Sequence, residues 1–129
     1  MHSPSSERPG AIADQLRGDL TALGYQLHTT IPTPFPALIE VYPHVALLAL
    51  LERNYRVPYK VSRSLQYWKA EMLTPAERIE RLLIEFRAIR TGLEAHISDI
   101  PEFIPEPSEV TTLASLKPVE DMLDALICA

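Results

Sequence analysis

The stretch Ala37-Leu-Ile-Glu-Val-Tyr-Pro-His44 decides how the chain is read, because its first half looks like a strand that carries a single carboxylate. Period-2 alternation puts Ala37, Ile39 and Val41 on one face and Leu38, Glu40 and Tyr42 on the other. Glu40 is then half-buried. Such a carboxylate must find hydrogen-bond donors or a cation, or take up a proton, because an unpaired buried charge is costly. Pro43 cannot donate to a sheet ladder, so the strand is expected to end there. His44 opens the apolar run Val45 to Leu51, which reads as a short buried helix.

Before this stretch, residues 1–10 are polar with Pro4, Pro9 and Gly10 and read as a disordered tail. From about Ala11 to Leu23, Ile12, Leu16, Leu20 and Leu23 repeat at helical spacing, and Gly24 supplies the stop. Tyr25 to Thr30 reads as a weak strand, and the prolines of Ile31-Pro-Thr-Pro-Phe-Pro36 set up an extended entry into the Glu40 strand.

After it, Glu52 to Met72 has no clean period, with a helical turn expected within Ser64 to Lys69. Thr74-Pro-Ala-Glu77 is a capping box with proline at the first helical position. Behind it Ile79, Leu82, Leu83, Phe86, Ile89, Leu93 and Ile97 form one apolar stripe, and Glu77 and Arg81 pair four apart on the wet face, so a helix is expected to about His96. Ser98 to Ser115 reads as a loop. A last helix begins near Pro118, with Val119, Met122, Leu123, Leu126 and Ile127 as its apolar face and Asp121 and Asp124 as neighbours on one side. Neither a glycine nor a basic last turn precedes Ala129, so this helix reads as cut short.

The 129 residues suit one domain, here helix-rich with one confident strand. A strand with two largely apolar faces needs partner strands, supplied by another chain, in a homo-oligomer or otherwise, or by a part of the protein that is absent. A net charge of -5 argues against a uniformly basic nucleic-acid binder. Yet Arg53, Arg56, Lys60, Arg63 and Lys69 fall in a segment without a single acid, a cationic patch on an acidic body. The lone cysteine, Cys128, excludes an intramolecular disulfide and fits a reducing interior. It reads as a small buried hydrophobe. With no signal-like apolar region at the start and no run long enough to span a bilayer, a cytoplasmic protein is the default.

Ile39-Glu-Val-Tyr-Pro-His44, Val57-Pro-Tyr-Lys-Val-Ser-Arg63, Tyr67-Trp68 and Glu120-Asp-Met-Leu-Asp-Ala-Leu-Ile-Cys-Ala129, in this order, resemble the family called domain of unknown function 429 (DUF429), a predicted nuclease family with an RNase H fold. The similarity runs from about Ala37 to the end. It implies an α/β fold, here a partial RNase H-like one with an incomplete central sheet flanked by helices. It also implies Mg²⁺ or Mn²⁺ held by acidic residues for phosphodiester hydrolysis. Asp121, Asp124, Ala125 and Leu126 are similar to the Asp-x-x-Asp-Ala-Leu pattern on the last helix of resolvase-type relatives. The glycine-rich, aspartate-bearing hairpin that opens such proteins has no counterpart here, so the chain is expected to be the C-terminal half of a longer enzyme, weak or inactive alone.

On this reading Glu40, Asp121 and Asp124 are the catalytic metal ligands, and Lys60, Arg63 and His44 contact the nucleic acid. Two-metal hydrolysis needs carboxylates that converge on neighbouring cations. A basic stretch interleaved with Tyr59, Tyr67 and Trp68 suits a backbone grip with base stacking. The plainer alternatives are a Glu40 paired with Lys60 or Lys117, a solvated Asp121–Asp124 face, core aromatics, and a neutral hydrogen-bonded His44. Under them the chain is a non-catalytic interaction module or a helical scaffold. The metal reading requires the acids to meet.

Overall fold

The structure is a computed structural model and describes residues 11–28, 36–39 and 41–129. Glu40 lies outside the described residues. The chain divides into two compact units, Met1–Val41 and Tyr42–Ala129.

In the first unit, helix α1 (Ala11–Ala22) ends on Gly24 as its sequence dictates. Gly24 takes φ +91°, its N–H donates to the Thr21 carbonyl at 3.0 Å, and the Tyr25 N–H reaches back to Leu20 at 3.0 Å. These are the two bonds of a Schellman stop, which a residue with a Cβ adopts poorly. Leu16 and Leu23, expected on the buried stripe, are exposed. Two short strands follow, β1 (Gln26–Leu27) and β2 (Ala37–Leu38), paired parallel with Gln26 opposite Ala37. The strand expected to run from Ala37 to Tyr42 is therefore two residues long, and Ile39 is exposed. Among the described residues this pair is the whole sheet, so the helix-rich expectation holds and the larger central sheet is not seen.

The second unit is helical. Tyr42 is the extended N-cap of α2 (Pro43–Leu50), and Pro43 stands in its first turn. The proline expected to end the strand thus starts the helix instead, two residues before the expected Val45, because its fixed φ suits a first turn whose N–H groups have no partner. After α2 come a 3₁₀ turn (Val61–Arg63), the single-turn α3 (Ser64–Tyr67), a second 3₁₀ turn (Lys69–Glu71), and the long α4 (Pro75–Glu94).

The capping box forms at the start of α4: the Glu77 N–H donates to Thr74 Oγ1 at 3.3 Å and the Thr74 N–H to Glu77 Oε2 at 2.8 Å. The hydrogen bonds from the Thr74 hydroxyl and amide hold the Glu77 carboxyl below its ordinary pKa. With Glu77 so engaged, Arg81 pairs with Glu71 at 3.1 Å, not with Glu77 as its spacing suggested. Ile79, Leu82, Leu83, Phe86, Ile89 and Leu93 of the stripe read from the sequence are all buried, while its last member, Ile97, is half-buried beyond the end of a helix that stops two residues short of His96.

Against that stripe pack Leu47 of α2, Val57 and Tyr59 of the following segment, and Leu116 and Leu123 near and on α5 (Lys117–Ile127). The proline-rich connection back from α4 is pinned to the helix. Arg87 donates to the Pro105 carbonyl and Arg90 to that of Ile100, both at 3.2 Å, while Ile100 and Ile104 are buried. Among the described residues no helix is long and apolar enough to cross a membrane.

α2 and α4 touch at Gly92, where a Cβ would meet Leu50 Cγ at 3.0 Å and Leu51 Cδ2 at 3.2 Å. A branched side chain there must push the two helices apart. Gly92→Val is expected to cost about 1–3 kcal/mol, read from the midpoint of urea unfolding.

Candidate metal centre

α5 brings three carboxylates together because Asp124 lies four residues after Glu120 and three after Asp121, the two spacings that make neighbours on a helix surface. One oxygen each of Glu120, Asp121 and Asp124 lies within 4.8 Å of the others. They differ in burial. Glu120 is 2 % exposed, Asp124 half-buried and Asp121 exposed.

Glu120 was not singled out in the sequence, yet its signal was there. It falls in register with Leu116 and Leu123, which are both buried, so it occupies a core position of the helix. The apolar face is rotated from the expected one, leaving Met122 46 % exposed. A carboxylate in the core has to be supplied with donors. Three reach Glu120: the Val61 N–H at 2.7 Å on Oε2, and on Oε1 the ammoniums of Lys117 at 3.0 Å and Lys60 at 3.3 Å.

These donors come largely from the segment Val57–Val61, which runs extended beside α5. Pro58 sits at the centre of a tight turn in which the Tyr59 N–H returns to the Val57 carbonyl at 3.1 Å. Val57 and Tyr59 are fully buried on the core side. The Tyr59 hydroxyl donates to Asp124 Oδ1 at 2.9 Å, and Lys60 donates to Asp124 Oδ2 while its ammonium lies 4.6 Å from the Tyr59 ring centre. Lys117 closes the rim on Asp121. In all, five of the six carboxylate oxygens carry a donor, and three negative charges face two positive ones.

The titrations follow from this packing. Burial pushes the Tyr59 hydroxyl up, and its bond to charged Asp124 pushes it further, so it stays protonated as a donor. Burial pulls Lys60 down, but the hydrogen bond and charge of Asp124, with those of Glu120, outweigh it and its pKa ends above the ordinary lysine value. Lys117 is raised chiefly by its hydrogen bonds to Asp121 and Glu120.

His44, in the first turn of α2, stacks on Tyr59 with ring centres 5.9 Å apart and 28° between planes. Its Nε2 is buried without a hydrogen-bond partner. Burial first, then the charges of Arg56 and Lys60, lower its pKa, against a smaller opposite pull from Asp124.

The residues expected at the site are thus partly assembled. Asp121 and Asp124 meet, joined by Glu120. Glu40 lies outside the described residues. Lys60, expected to grip phosphate, is engaged by Asp124 and Glu120, because an extended chain beside α5 carries its side chain onto the acids. Arg63 is exposed at the end of a 3₁₀ turn. Of the aromatics of the basic stretch, Tyr59 is core, and Trp68 is half-buried against the core with Tyr67 edge-on to it at 5.8 Å. Cys128, expected to be buried, is exposed and free.

The donor set is all oxygen and all carboxylate, which is what a hard divalent cation takes. It fits Mg²⁺ or Mn²⁺ provided that an ammonium yields its place. A family model described as "Protein of unknown function (DUF429)" matches residues 7–129. The match begins well ahead of Ala37, where the motif resemblance starts, and so includes α1. Comparison with curated proteins and with solved structures gives no significant match.

Two outcomes test this geometry. Tyr59→Phe leaves a carboxylate oxygen without its donor and is expected to lower stability by about 1 kcal/mol in chemical denaturation. For His44, burial disfavours the imidazolium, so the folded pKa lies below the ordinary 6.5. The folded protein then binds fewer protons than the unfolded chain, and this contribution, complete above 6.5, is lost as pH falls through the folded value. His44→Gln should therefore make the loss of stability on mild acidification shallower than in the wild type.

Proposed function

The chain belongs to the DUF429 family, and from that premise we propose that it is a portion of an RNase H-like, metal-dependent nuclease that hydrolyses phosphodiester bonds. The observation that carries this reading is the convergence of Glu120, Asp121 and Asp124 within 4.8 Å on one turn of α5. In it these three residues would hold Mg²⁺ or Mn²⁺. The bound metal would polarise a phosphoryl oxygen and acidify the attacking water.

The chain's own groups do the positioning. Tyr59 and the Val61 N–H aim Asp124 and Glu120, and the burial of Glu120 keeps its carboxylate in one orientation. Arg63 and His44 contact the backbone of the nucleic-acid substrate, with exposed Arg56 adding charge beside His44. Neighbouring strands from another copy or a partner chain would extend the β1–β2 pair into the larger sheet of the fold. The free Cys128 suits a reducing, cytoplasmic setting.

A second reading, a non-catalytic interaction module of the same family, draws on the bonds of Lys60 and Lys117. They already partner the acids, as a purely structural network would.

Metal titration separates the two. On the nuclease reading millimolar Mn²⁺ or Mg²⁺ raises the melting temperature, by an amount equivalent to about 2.7 kcal/mol when metal stands at 100 times its dissociation constant. Glu120→Gln and Asp124→Asn lose that increment whatever their own baseline stability, and cleavage of labelled single- and double-stranded DNA and RNA depends on the same two residues. A melting temperature indifferent to either metal would leave the interaction module standing.

A further inference from the structure

We propose that Lys60 is a displaceable internal counter-ion that closes the acidic cluster on α5, so that a divalent cation enters only as the Lys60 ammonium swings out. The proposal rests on the metal-binding reading of that cluster and adds its regulation.

Three observations carry it. The first is occupancy. Lys60 bonds Asp124 and lies 3.3 Å from Glu120 Oε1, so it bridges the two least exposed carboxylates where a shared cation would have to sit. The second is asymmetry between the two lysines. The Lys117 side chain is 50 % exposed and, although it also reaches Glu120 Oε1 at 3.0 Å, its other partner is the outer acid Asp121, so it can turn out into solvent without crossing the core. Lys60 is 26 % exposed and rests against the Tyr59 ring, so it sets the resistance to entry.

The third is what remains when Lys60 leaves. Its neighbours on either side do not depend on its ammonium: the Tyr59 hydroxyl still holds Asp124 Oδ1, and the Val61 amide still holds Glu120 Oε2. The opposite oxygens of the same two carboxylates, Asp124 Oδ2 and Glu120 Oε1, are the ones Lys60 vacates. One flexible side chain can therefore exchange while the acids keep their aim. Asp124 Oδ2 is then left without a positive partner and Glu120 Oε1 with Lys117 alone, and an incoming cation makes up the deficit.

The test measures Mn²⁺ binding by the electron paramagnetic resonance of the free ion, for the wild type, Lys60→Met and Lys60→Arg. Lys60→Met, which keeps the packing stem and removes the charge, is expected to bind Mn²⁺ about tenfold more tightly or better, while Lys60→Arg gains nothing. Lysine acylation followed by mass spectrometry reads the same event in the unmodified protein. Lys60 labelling should rise several-fold with Mn²⁺ while that of exposed Lys69 stays constant. Wild type that binds Mn²⁺ with no gain in Lys60→Met, or with Lys60 labelling unchanged, overturns the gate and leaves the metal reading intact. No Mn²⁺ binding by any of the three proteins overturns both. Should Lys60→Met fail to fold, the labelling experiment alone decides.

Discussion

A carboxylate placed on the apolar stripe of α5 is the constraint around which the second unit is arranged. Glu120 stands where a leucine would be the simplest filling, and a buried charge there is tolerable only with several donors at once. An amide hydrogen and two ammoniums provide them. Satisfying Glu120 draws the Val57–Val61 segment against α5, and that in turn buries Tyr59, stacks His44 on its ring and delivers Lys60 to Asp124. Packing of apolar side chains alone would hold α4 and α5 together. The polar network fixes which residues of the connecting segment face the helix.

Much of the helical framework was legible because its signals are local. The capping box of Thr74 and Glu77, the stripe from Ile79 to Leu93, the glycine stop after α1 and the prolines opening α4 and α5 each depend on residues within a turn or two. The alternation about Ala37 to Tyr42 suggests a longer strand than the Ala37–Leu38 that forms. Alternation over a few apolar residues describes any half-exposed extended segment, and Pro43 could as well begin a helix as end a strand. The proline-rich connection after α4 looked like a free loop, but Arg87 and Arg90 tie its carbonyls down, a non-local effect that no window of sequence displays.

At the site the pattern is similar. Asp121 and Asp124 could be paired from their spacing, whereas Glu120 needed the helix to be set in register with Leu116 and Leu123 before its burial stood out. The partners of Lys60 lie some sixty residues away along the chain, so its engagement by the acids could not be read from its surroundings in sequence. A run of cations without acids suggests groups free for a ligand, while the folded chain engages two of them on its own helices, Arg53 with Glu85 of α4 and Lys60 with the acids of α5. The family match supplies membership and leaves the chemistry to be established by experiment.

The tight turn at Pro58 has an evolutionary corollary. Three successive residues after it hand three different donors to α5: a phenol from Tyr59, an ammonium from Lys60 and a main-chain amide from Val61. Adding or deleting a single residue between Val57 and Val61 would slide all three out of step together. The amide contribution, moreover, survives nearly any replacement of the Val61 side chain. The segment should consequently be far stricter about its length than about several of its letters.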